Sequence, residues 1–229
     1  MLTKDTYKQI KIFFKLASKT ASIPIRYNEK TENFEEISGK AKAWYFFMIT
    51  LTTFRPCYHI FWLVWSAFYG FPNISDTSLE IFYFLGNSLA NFLNIGAYLS
   101  RPSLTNYLNQ LLKTNRIFKS AFLAAEAESG GRHPVSRKRY SDGCSLFMKL
   151  LTPSSLSTPM SFGLMFLLQP QKRLYYYHFI PGERPLWTKI LYFLWESFTY
   201  LWCSFAIYLF WYMVLLYGQS CGFWLNQVR

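Results

Sequence analysis

Apolar residues are gathered into four long blocks, 44–71, 79–100, 144–168 and 188–217, separated by polar and charged stretches. Each block reaches the roughly 20 residues that a helix rising 1.5 Å per residue needs to cross about 30 Å of hydrocarbon. Buried helices of soluble proteins have shorter apolar runs. The pattern therefore predicts an all-α polytopic transmembrane helix bundle of four spans. Around the spans lie an N-terminal segment (1–43), a central segment (101–143), a short loop (169–187) and a tail (218–229). Within residues 1–20, Ile10, Phe13, Phe14 and Leu16 share one side of a basic stretch. That stretch is expected to lie along the inner membrane surface, with packing on protein as the alternative. Residues 23–40 read as a polar connector. Residues 101–128 read as an amphipathic helix, with Leu104, Tyr107, Leu108, Leu111, Phe118 and Phe122 at roughly helical spacing. The glycines, proline and charges of 129–143 read as a loop.

Composition sharpens this picture. Only 16% of the 229 residues are charged, while 52% are apolar and 21% aromatic. The formal net charge of +12 could suggest nucleic acid, but the position of the cations points elsewhere. Nine Lys/Arg fall in 1–42 and nine in 101–149, whereas 72–78 has none and 169–189 has four. With Arg229 the count is nineteen against four, which places both termini in the cytoplasm of a multi-pass plasma-membrane protein. The lipid bilayer is then the partner, and nucleic acid is not. Asn73 opens the one N-x-S/T triplet and falls in the predicted outer turn, which makes it a glycosylation candidate. The lysine-rich start is no cleavable signal peptide. Cys57, Cys144, Cys203 and Cys221 imply neither a disulfide framework nor a zinc site.

Polar residues inside the blocks call for partners. Arg55, one turn inside the inner boundary of the first span, is expected to snorkel toward lipid headgroups; pairing with Glu196 of the fourth block is the alternative. Asn87, Asn91 and Asn94 occupy one helical face, either to bond neighbouring helices or to line a cavity. Pro153 and Pro159 should kink the third span. The fourth block is longer than a bilayer requires and should tilt or extend past the inner leaflet. His59, His133 and His178 lie in separate segments, and no HExxH, GxSxG or Walker-type loop occurs. The expectation is a non-enzyme with no cofactor and no metal.

Two stretches carry a resemblance. "IPIRYNEKTENFEEISGKAKAWYFF", with Pro24 and Tyr27 in a Pro-x-x-Tyr element, resembles the segment before the first helix of arthropod gustatory receptors. "YLSRPSLTNYLNQLLKTNRIF" is similar to the end of their second helix, where an arginine, here Arg101, closes the span. The resemblance, to the arthropod gustatory/odorant receptor superfamily, implies seven-helix subunits that form tetrameric ligand-gated cation channels. It also implies a pocket for small organic molecules in the outer half of the bundle. The family's seventh-helix signature does not occur before Arg229, so the expectation is a receptor's N-terminal four-helix portion, lacking the last three helices and the pore helix. By depth and polarity the candidate ligand-binding residues are Asn87, Asn91, Ser161, Trp195, Glu196, Thr199 and Tyr200. The competing expectation is a non-receptor four-span accessory or scaffold protein.

Overall fold

The computed structural model describes residues 4–70, 74–128, 143–169, 175 and 185–228. Six helices and one hairpin follow in the order α1 (Lys4–Thr20), β1 (Ile25–Asn28), β2 (Asn33–Glu36), α2 (Gly39–Tyr69), α3 (Ile74–Leu99), α4 (Arg101–Glu128), α5 (Gly143–Leu168) and α6 (Leu186–Val228). The chain is mostly helical, as the apolar periodicity predicts. Asn73 and the Arg137–Arg139 cluster lie outside the described residues.

The hairpin is the element the sequence reading leaves as connector. β1 and β2 pair antiparallel in the register Ile25↔Glu36 to Asn28↔Asn33. Asn28 Oδ1 accepts from the Lys30 amide (3.0 Å) and Glu32 takes a left-handed φ of 51°, so a four-residue turn closes the strands. On α4, Asn109 clasps the free edge of β2: its Oδ1 accepts from the Phe34 amide (2.7 Å) and its Nδ2 donates to the Phe34 carbonyl (2.9 Å). A single side chain thus supplies both bonds that a third strand would make there.

α1 ends in a Schellman arrangement: the Ser22 amide bonds the Ala17 carbonyl (3.1 Å), the Ala21 amide bonds the Ser18 carbonyl (3.3 Å), and Ala21 is left-handed at φ 45°. Its apolar face is covered by protein. Ile10, Phe13, Phe14 and Ala17 are all buried, and Phe13 stacks on Tyr212 of α6 at 4.3 Å. Trp202 Nε1 donates to the Ala21 carbonyl (3.3 Å). For the apolar face the packing alternative holds: a buried aromatic face is already satisfied and has nothing left to insert into lipid. Phe14, Ile25 and Phe34 join Leu108 and Leu112 of α4 and Leu216 of α6 in one core. We call α1, the hairpin, α4 and the second half of α6 the cap.

The remainder is a bundle of α2, α3, α5 and the first half of α6. It runs through three prolines without breaking, and two of them have a visible remedy. Pro56 has no N–H for the Thr52 carbonyl, which instead accepts from Asn91 Nδ2 of α3 (3.0 Å). Pro159 leaves the Ser155 carbonyl open, and the Ser204 hydroxyl of α6 donates to it (3.2 Å). Both repairs come from a neighbouring helix, which is how proline is tolerated where water is absent. α5 and α6 meet closely at Gly163, where an added Cβ would collide with Ser197 and Phe193. Small residues permit this approach.

By length and mean hydropathy, one helix among the described residues qualifies to cross a membrane: α6, within Leu186–Gly222, at 1.6. α2, α3 and α5, at 31, 26 and 26 residues, are long enough, but their polar positions lower the average. α6 does continue beyond the block read from sequence. It is helical through the expected tail to Val228, 43 residues in all.

Candidate functional site

The site is built where α2, α3, α5 and α6 converge. On α3 the buried positions Glu80, Tyr83, Asn87, Ala90, Asn91 and Asn94 recur every three or four residues, so one stripe faces inward. On α2, Thr52, Arg55, His59 and Ser66 form the facing stripe. Arg55 and Glu196 are 5% and 2% exposed, and Arg55 Nη2 lies 2.8 Å from Glu196 Oε2. The contact is an ion pair rather than an aligned hydrogen bond, because neither of the two atoms meets hydrogen-bond geometry with any partner. The snorkel expected of Arg55 is corrected. A carboxylate on the adjoining helix neutralises the guanidinium, and reaching the headgroups would leave Glu196 buried and unpaired.

Aromatic rings continue from the pair. The Arg55 guanidinium carbon sits 4.8 Å from the Tyr200 ring centre. Tyr200 stacks on Phe162 of α5 (4.5 Å, 16°), and Tyr83 meets Phe162 edge-on (5.7 Å, 83°). His59, one turn beyond Arg55, is buried with its ring 5.8 Å from that of Tyr83.

Beside these rings is a cavity of about 200 Å³ between α3, α5 and α6. Phe82, Tyr83, Phe162 and Tyr200 form its aromatic walls. Gly86 and Ala90 keep the α3 side open, and Asn87, Thr158 and Ser204 supply the polar groups. Walls of this kind select for an apolar body and orient it through few polar contacts. No group of three or more metal-ligating side chains occurs among the described residues.

The sequence candidates divide accordingly. Asn87 and Tyr200 line the cavity. Glu196 lies behind it, engaged with Arg55. Asn91 turns to α2, where its Oδ1 accepts from the Thr52 hydroxyl (2.8 Å), and acts as the proline strut described above. The Thr199 hydroxyl is buried and donates to the Trp195 carbonyl (2.8 Å). Trp195 borders a separate open crevice with Phe54, Arg55 and Tyr58. Ser161 is exposed and bonds the Ser157 carbonyl (3.1 Å), so it stands apart from the cavity. Depth and polarity miss the other lining residues, among them Tyr83, Gly86, Phe162, Thr158 and Ser204. Tyr83 was within reach of the helical stripe, since it precedes Asn87 by one turn.

No family model, curated protein or solved structure matches this chain.

Proposed function

We propose that this protein is a four-span membrane protein with both termini cytoplasmic. In this reading it forms part of a chemosensory receptor of the gustatory/odorant type, a subunit of a ligand-gated cation channel. A small organic molecule occupies the cavity between α3, α5 and α6.

One observation carries the membrane half of this reading. The bundle hides its polar side chains and displays its large apolar ones. Thr52, Arg55, Asn87, Asn91, Asn94 and Glu196 are buried, while Phe54, Phe68, Leu85, Phe92, Leu150 and Leu164 are exposed. In water that distribution would be costly on both counts, whereas lipid favours it on both. The receptor half is supported by the resemblance of residues 23–47 and 98–118 and by a cavity of suitable character. The oligomeric state is carried over from the resemblance alone.

Two measurements test the reading on the full chain. An epitope at Met1 is expected to bind antibody only after cells are permeabilised; labelling of intact cells would overturn the orientation. A panel of small neutral aromatic and aliphatic molecules is screened for thermal stabilisation of the detergent-purified chain. A subset is expected to raise the melting temperature, and Gly86→Phe to abolish the effect. Gly86 lines the cavity, and a Cβ there meets nothing within 4 Å, so the substitution starts from open space. Stabilisation unaltered by Gly86→Phe would remove the cavity from the mechanism. A membrane-embedded chain that no panel member stabilises would favour the accessory or scaffold role.

A further inference from the structure

α1 has two faces, and only one is used by the fold. At 100° per residue, Lys8, Lys11, Lys15 and Lys19 fall within an arc of about 80°. The buried Ile10, Phe13, Phe14 and Ala17 lie on the opposite side. Lys8, Lys15 and Lys19 are exposed, and Lys11 rests over the rings of Tyr7 (4.5 Å) and Tyr27 (5.2 Å).

The carboxylates of α1 and of the hairpin are already engaged. Asp5 pairs with Lys149, Glu29 with Lys15, Glu32 with Arg116, Glu35 with Arg26 and Glu36 with Arg101, at 2.8–3.2 Å. Lys8 and Lys19 have no carboxylate within ion-pair distance among the described residues. Glu29 answers Lys15, and among the described residues the face keeps a net positive charge from Lys8, Lys11 and Lys19.

Its height on the bundle identifies the counter-charge. Asp5 is tied to Lys149 of α5, and the adjacent Leu146 and Leu150 are exposed. Phe13 stacks on Tyr212 of α6, whose neighbours Phe210, Trp211 and Val214 are exposed. α1 is thus fixed against the flank of the bundle at a level where adjacent helices still present large apolar side chains outward. Lysines at that level lay their methylene stems along apolar surface and direct their ammonium groups to the phosphate layer. We infer that the lysine face of α1 is a docking surface for anionic lipid headgroups of the inner leaflet. This rests on the membrane reading above. It also differs from an inserted amphipathic helix: protein holds the apolar face, and lipid meets only the charges.

The test uses the full chain in neutral maltoside micelles, titrated with dioctanoyl phosphatidylserine, dioctanoyl phosphatidylcholine or inorganic phosphate, with retention read by native mass spectrometry. Phosphatidylserine is expected to bind about tenfold or more tightly than phosphatidylcholine. The Lys8→Gln/Lys15→Gln/Lys19→Gln variant should lose that preference, and a Lys30→Gln/Lys113→Gln/Lys189→Gln variant should keep it. Equal losses in the two variants would mean diffuse charge, and displacement of the lipid by equimolar inorganic phosphate would mean a free-anion site. Tighter binding of a short RNA duplex would mean a nucleic-acid face. Each of these overturns the proposal. Unchanged size-exclusion profiles confirm that the variants fold. A chain extracted from membranes by alkali would sink the membrane reading, whereas an embedded chain without headgroup preference sinks this inference alone.

Discussion

The cap and the bundle obey opposite rules, and α6 takes part in both. Upstream it buries Glu196, Thr199 and Ser204; downstream it buries Phe205, Leu209, Tyr212 and Leu216. The ion pairs divide the same way. Cap pairs such as Lys15–Glu29 and Arg116–Glu32 are largely exposed, while Arg55–Glu196 in the bundle is almost wholly enclosed. An exposed pair contributes about 0–1 kcal/mol, but an enclosed charge that loses its partner is far more costly. The contrast shows that the buried side chains alone do not reveal the surroundings. What is left outside does, and α6 presents large apolar side chains outward in both halves, Ile190, Leu191 and Leu194 upstream and Phe210, Trp211 and Val214 downstream.

The largest effect that sharpens this contrast comes from Glu196→Ala. It strands the Arg55 guanidinium and should cost about 3–5 kcal/mol in denaturant unfolding of the detergent-purified chain, with much of the loss recovered in an Arg55→Leu/Glu196→Leu double variant. Equal stability of wild type and Glu196→Ala would mean that the pair is not enclosed in the working protein.

Next in size is Phe92→Arg, on the outward face of α3. A cation there should reduce insertion by about 2.5–3.5 kcal/mol in a glycosylation-reporter assay. The reverse exchange on the cap, Lys113→Phe, should change stability by no more than about 0.5 kcal/mol. If Phe92→Arg inserted as well as wild type, the bundle surface would not face lipid.

The third effect is the most specific. Asn91→Leu should cost about 1–3 kcal/mol by leaving the Thr52 carbonyl without a donor. In a Pro56→Ala background, where position 56 regains its N–H, the same change should cost less, by at least about 0.5 kcal/mol in a double-mutant cycle. Additive losses would mean that Asn91 is not the strut for Pro56.

The helices were legible because apolar blocks and helical stripes are local patterns. The Asn87–Asn91–Asn94 face was visible for that reason. The hairpin was not: Ile25–Asn28 and Asn33–Glu36 are four residues each, and what secures them is Asn109, far along the chain. Arg55 was misjudged on the same ground. One turn inside a boundary, a snorkel and a buried pair look alike until the height of Glu196 on another helix is known. Asn91 and Ser204 became intelligible only with Pro56 and Pro159 beside them. A proline announces an open carbonyl but not the helix that will answer it. The cavity was half-read: polarity picked out Asn87 and Tyr200 but not Thr158 and Ser204, and the Phe82, Phe162 and Gly86 walls carry no polar mark.

The unbroken length of α6 has a mechanical consequence. Tyr200 borders the cavity and Leu216 lies in the core of the cap, with roughly 24 Å of continuous helix between them. Over that length a tilt of about 5° would carry the far end by about 2 Å, the scale on which the ring of Tyr212 contacts Phe13.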